Sequence, residues 1–169
     1  MLDDPIKYGL LAMLAIALLV AAVTDLRSRH IGNWLNGGIA LAAPLFWWAS
    51  EIPLWADPLV QTSVLAQLGV ALVTFAVLAV FFALRAMGGG DVKLLTALAL
   101  WIAPMVFLKL LIVMALVGGL LTLAFGAWHV MRRQREKLAI PYGVAIALAG
   151  LWVLGTSYLP SNTAAGGLG

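Results

Sequence analysis

Two carboxylates in a very apolar chain, Asp25 and Asp91, are the residues from which chemistry is expected. An acid at membrane depth costs roughly 3 kcal/mol or more and by default marks a functional site. Brought close, two acids cannot both ionise easily, so the pair shares a proton. One member can then take a proton from water while the other donates one to a carbonyl. Each acid also has a plainer reading. Asp91 follows three glycines at a helix start, where an N-cap acid satisfies free amides. Asp25 has Arg27, Arg29 and Arg85 as partners for a surface ion pair worth at most about 1 kcal/mol. Taken jointly they are the only acids near one membrane face apart from Glu136, which lies inside a basic cluster. No third acid or histidine arrangement completes a ligand set, so neither metal nor cofactor is expected. His30 and His129 read as interfacial side chains.

The turn that delivers Asp91 is Gly88-Gly89-Gly90-Asp91-Val92-Lys93-Leu94. Three glycines in succession predict a backbone with positive φ and close approach by another segment. Lys93 has two readings, a snorkelling side chain or a cation that holds the Asp91 carboxylate.

The elements that position these residues must sit in lipid. The chain has 169 residues, 64% of them hydrophobic and only 10% charged, with mean hydropathy +1.06. Soluble domains carry about 25% charged residues. Long Leu-, Ala- and Val-rich stretches without strand-like alternation exclude a β-barrel and predict an all-α membrane protein. The absence of cysteine removes disulfides, thiolate zinc sites and a cysteine nucleophile. The net charge of +3 lies in short connecting segments rather than on one soluble face, so nucleic acid is not an expected partner.

In chain order, Asp3, Asp4 and Lys7 do not form the basic start of a secretory signal, and the first span is read over Tyr8 to Thr24. Spans follow at Asn33 to Ala49, Leu59 to Leu84, Asp91 to Pro104, Met105 to Val130 and Ile140 to Tyr158, with residues 161–169 as a disordered tail. Residues 1–160 form one membrane-embedded domain. The tryptophans read as interfacial belts, and Gly118, Gly119 and Gly126 as close-packing positions. The fourth span covers only about 20 Å if it ends at Pro104, against a hydrocarbon core of about 30 Å. It either starts in a wet notch or kinks through Pro104. Arg27, Arg29, Arg85, Lys93, Arg132, Arg133, Arg135 and Lys137 share one face, against Lys7 and Lys109. The positive-inside rule makes that face cytoplasmic, and six spans put both termini on the other side.

These segments together resemble the type IV prepilin peptidases, GxGD membrane aspartic proteases, in the short form associated with Flp (tight-adherence) pili. Gly88 to Asp91 with Lys93-Leu94 looks like the GxGD-x-KL motif. Asp25-Leu26-Arg27 with Ile31-Gly32-Asn33 looks like the first-aspartate segment, and Ile140 to Ala147, with Pro141, Tyr142 and Gly143, is similar to the motif opening the last span. The resemblance implies Asp25 and Asp91 as catalytic residues, the turn Gly88, Gly89 and Gly90 at the active site, and supporting places for Arg27, Asn33, Lys93, Pro141, Tyr142 and Gly143. It further implies cleavage of a basic prepilin leader after a glycine, at the cytoplasmic face of a bacterial inner membrane. Pilus or secretion assembly components would be partners beside the lipid bilayer. Where the family usually has Ile-Pro-Asn, Gly32 replaces the proline. The cysteine-rich insert of the longer, methylating members is missing, which implies a peptidase without methyltransferase activity. Two other classes compete: a small proton-coupled transporter, which predicts acids nearer mid-span and inverted repeats, and a non-catalytic scaffold of a secretion or pilus machine, which predicts dispensable acids.

Overall fold

The computed structural model describes residues 5–56, 62–131 and 142–159. It is all-helical over these residues: α1 (Pro5–Ser28), α2 (Asn33–Ala49), α3 (Val64–Ala83), α4 (Gly89–Ala99), α5 (Pro104–Met131) and α6 (Tyr142–Ser157). The helix starts carry recognisable signals. Pro5 and Pro104 are first helical residues, where a missing amide costs nothing. Ser63 caps α3 by accepting from the Ala66 amide at 3.2 Å. The α2 bounds coincide with the sequence reading, and α1 runs one turn further, taking Asp25 into the helix. The basic cluster from Arg132 to Lys137, Pro141 and the tail lie outside the described residues.

Three helices, Pro5–Ser28, Val64–Ala83 and Pro104–Trp128, are long and apolar enough to cross a membrane. α6 is apolar but shorter. α4, with 11 residues, rises only about 16 Å and cannot cross by itself. It is instead the centre of the molecule, packed against α2, α3 and α6, with Leu94, Leu95, Leu98 and Ala99 fully buried.

A short helix ending within the protein leaves carbonyls and amides that lipid cannot satisfy. The turn from Leu100 to Ala103 meets this need with partners from two helices. Trp47 donates its indole N–H to the Leu100 carbonyl at 2.7 Å, and the Ala103 amide donates to the Tyr158 hydroxyl at 2.8 Å. Trp101 donates to the Ile39 carbonyl at 2.8 Å and stacks on Phe46 at 5.0 Å between ring centroids. The chain therefore stops and restarts rather than kinking through Pro104. Trp101, 1% exposed, is also no belt residue: its amphipathic ring serves a buried turn. Trp48 and Trp55 are exposed, as belt residues would be.

Small residues set the packing, and of the three glycines expected only Gly118 takes part. Gly118 makes ordinary contact with Tyr142 and Ala145 of α6, but nothing lies within 4 Å of a β-carbon placed at Gly119 or Gly126. The close approaches are at Gly150, where a β-carbon would lie 2.8 Å from Leu18 Cδ1, and at Gly143 beside Asp25. Both join α6 to α1.

Candidate active site

Asp25 sits in the last turn of α1 and Asp91 in the first turn of α4, and both are buried. The two side chains line one cavity of about 700 Å³, together with Arg29, Phe82, Arg85, Met87, Gly88 and Tyr142. They are close enough to act on one another electrostatically. Burial argues against the surface ion pair as the whole account of Asp25, although the Arg29 charge does act on its carboxylate.

Asp91 is not the N-cap. Gly88 holds that place at φ −71° and ψ 142°, and Asp91 is three residues on. From there its carboxylate turns back to accept from the Gly88 amide, the reciprocal half of a capping box. A β-carbon on Gly88 would lie 3.0 Å from Asp91 Oδ2. The helix start thus fixes the direction of the acid as well as its position.

No described glycine has a positive φ, which corrects the reason expected for the glycine turn. The demand is for space. A β-carbon on Gly90 would come within 3.1 Å of Ile31 Cβ, with the Ile31 backbone N and O both at 3.4 Å, and one on Gly89 would lie 3.1 Å from the Phe82 ring. The first turn of α4 is pressed against the α1–α2 loop, which carries the end of the Asp25 segment.

Two side-chain links hold that contact. Asn36 donates to the Gly90 carbonyl at 3.3 Å, and Lys93 donates to Asn33 Oδ1 at 2.8 Å. Lys93 therefore ties α4 to α2 and does not figure among the groups acting on the Asp91 carboxylate. With Trp47 on Leu100 at the far end, the parallel helices α2 and α4 are fastened at both ends. Asn36 was not singled out in the sequence, where an asparagine within an apolar span was the available signal.

Gly143 meets Asp25 from the other side. A β-carbon there would be 2.8 Å from Asp25 Cγ and Oδ2. The first turn of α6 presents the Gly143 and Val144 amides to this acid, at a geometry that leaves the buried Oδ2 without a protein hydrogen bond. Tyr142 lines the cavity. Arg27 is exposed and outside its lining, and Pro141 lies outside the described residues. Gly32, the N-cap of α2, has φ −62° and ψ 139°, a backbone that proline also adopts, so the loop keeps its course without one.

The arrangement is a largely apolar cavity with two acids of separate helices on its wall, suited to general acid–base work on one bond. Residues 12–127, a stretch that includes both aspartates, match the model of the type IV leader peptidase family. Searches of curated proteins and of solved structures returned no match.

Proposed function

The chain belongs to the type IV leader peptidase family, and we propose that it is an aspartic endopeptidase that removes leaders from Flp-type prepilins, cutting after a glycine. The observation that carries this reading is that Asp25 and Asp91, far apart in the chain, line one cavity. A water between them loses a proton to one carboxylate as its oxygen attacks the scissile carbonyl. The other carboxylate, carrying the shared proton, donates to the developing oxyanion. Backbone amides act on both acids, those of Gly143 and Val144 on Asp25 and that of Gly88 on Asp91.

The topology in this reading has six membrane passages in a bacterial inner membrane, with both termini outside. The segments carrying Arg27, Arg29, Arg85 and Lys93 face the cytoplasm, as positive charge favours, so cleavage occurs at that face. α4 contributes its passage as a short helix continued by protein rather than by lipid-facing backbone. With no cysteine in the chain and no cysteine-rich insert, it releases the new N-terminus without methylating it. Its partners are prepilins, each a basic leader followed by an apolar helix, and the machinery that assembles them.

Co-expression with such a precursor tests the reading. The expected result is a smaller product whose new N-terminus follows the leader glycine, and an unprocessed or elsewhere-cut precursor in the presence of well-expressed protein rejects it.

A further inference from the structure

α1 and α3 end in the same unusual way, and both ends meet at the cavity. Each terminates in a left-handed arginine: Arg29 with φ 52° and Arg85 with φ 58°. The Arg29 amide donates to the Asp25 carbonyl at 2.9 Å, a single-bond left-handed cap. Around Arg85 the full two-bond motif is present, with Arg85 N–H to Phe82 O and Ala86 N–H to Phe81 O, both at 2.9 Å. Glycine is the residue that takes this position at no steric cost. Glu51 closes α2 similarly, with φ 51°, away from the cavity, so the conformation alone selects nothing. What sets Arg29 and Arg85 apart is that both residues line the cavity of Asp25 and Asp91.

Charge balance separates their roles. Two carboxylates sharing one proton carry one net negative charge, and Arg29, which acts on Asp25, offsets it. Arg85 is exposed and is not among the main groups acting on either acid. Among the described residues the notch is left with one guanidinium that neither acid engages, a planar fork matched to a carboxylate. We infer that Arg85 is a specificity residue that binds an acidic side chain of the substrate, close to the scissile bond. The inference rests on the peptidase reading and adds a demand on the substrate that the aspartates do not make. The acid lies on the segment that enters the notch, and a basic residue at that point is disfavoured.

The test uses full-length protein in neutral-lipid vesicles and synthetic precursor peptides of leader, glycine and apolar helix. A single Glu, or its isosteric Gln, is moved one position at a time through the residues flanking the cleavage point. The expected result is one position at which Glu is preferred over Gln in kcat/KM, on the order of tenfold, as for a hydrogen bond to a charged group. Arg85→Gly brings that ratio to about one, Arg85→Lys keeps part of it, and Arg27→Gln, outside the cavity, keeps all of it. Because Arg85→Gly suits the left-handed backbone, its melting temperature equals or exceeds that of the parent, so a lost ratio does not reflect unfolding. A ratio near one at every position, or one that survives Arg85→Gly, overturns the inference and leaves the peptidase reading intact. Equal loss on the Glu and Gln peptides that appears only in anionic vesicles makes Arg85 a lipid anchor and likewise overturns it. No cleavage of any peptide by the parent protein removes both readings.

Discussion

Gly143 stands so close to Asp25 that a β-carbon on it would come within 2.8 Å of the carboxyl carbon. The neighbour it meets is a buried acid in a helix end whose Cβ lies at 2.9 Å as well, so relief displaces both the carboxylate and the α1–α6 approach that holds it. Gly143→Ala should therefore reduce leader cleavage by about a hundredfold or more, the scale of a misplaced reacting group. Gly119→Ala, which meets nothing within 4 Å, should leave cleavage unchanged. Both are measured as initial cleavage rates at matched membrane abundance, and equal rates would remove the Gly143 contact from the account.

The glycine turn makes a demand of the same kind. Gly90→Val should damage activity more than Gly38→Val, because its β-carbon faces Ile31 at 3.1 Å whereas Gly38 has nothing within 4 Å. Gly90→Ala should fall between, since a methyl needs only a small shift of Ile31. A graded series of cleavage rates, parent then Ala then Val, is the expected record. An equally severe loss with Ala and Val would instead indicate a backbone requirement.

Asn36 offers a way to separate alignment from stability. Its amide holds the Gly90 carbonyl, but its own carbonyl oxygen is buried without a partner. Asn36→Leu loses one hydrogen bond and also removes an unsatisfied polar atom, two effects of about 1 kcal/mol each and opposite sign. The melting temperature should stay within a few degrees of the parent while cleavage falls about tenfold. A large drop in melting temperature would show that the link is mainly structural.

Much of this arrangement was legible in the sequence, for definite reasons. Composition forces helices, and Pro, Ser and Gly mark where they start, so α2 was read to the residue and α4 to within two at its beginning. The prominence of Asp25 and Asp91 followed from the cost of an acid in an apolar chain. What periodicity could not carry is which surfaces meet. Gly143 is marked by the motif that opens the last span, but Gly150 looks no different in sequence from Gly119 and Gly126, yet it adjoins α1 and they do not. Lys93 has two readings in the sequence, a snorkelling cation or a partner of Asp91, and it reaches Asn33 on another helix instead. Trp101 resembles the other tryptophans until the buried turn it closes is seen.

The approach of the two acids can be measured without a substrate. The chain has no cysteine, so Asp25→Cys combined with Asp91→Cys gives a clean pair. Both thiols should react with a water-soluble reagent, and a short bifunctional crosslinker should join them; a direct disulfide would require Cα atoms within about 7 Å. Two thiols that label but never crosslink would place the acids in separate sites.

The most direct test of the central claim, that Asp25 and Asp91 work on one bond, is the cleavage rate of a prepilin by full-length Asp25→Asn and by Asp91→Asn, each inserted and folded at parental abundance. An amide cannot take a proton from water, nor can it share one with its partner. The account predicts that each single variant loses at least a thousandfold in rate and that the double variant is no worse than either, since groups that act as a unit are not additive. Parental cleavage by either variant would contradict it.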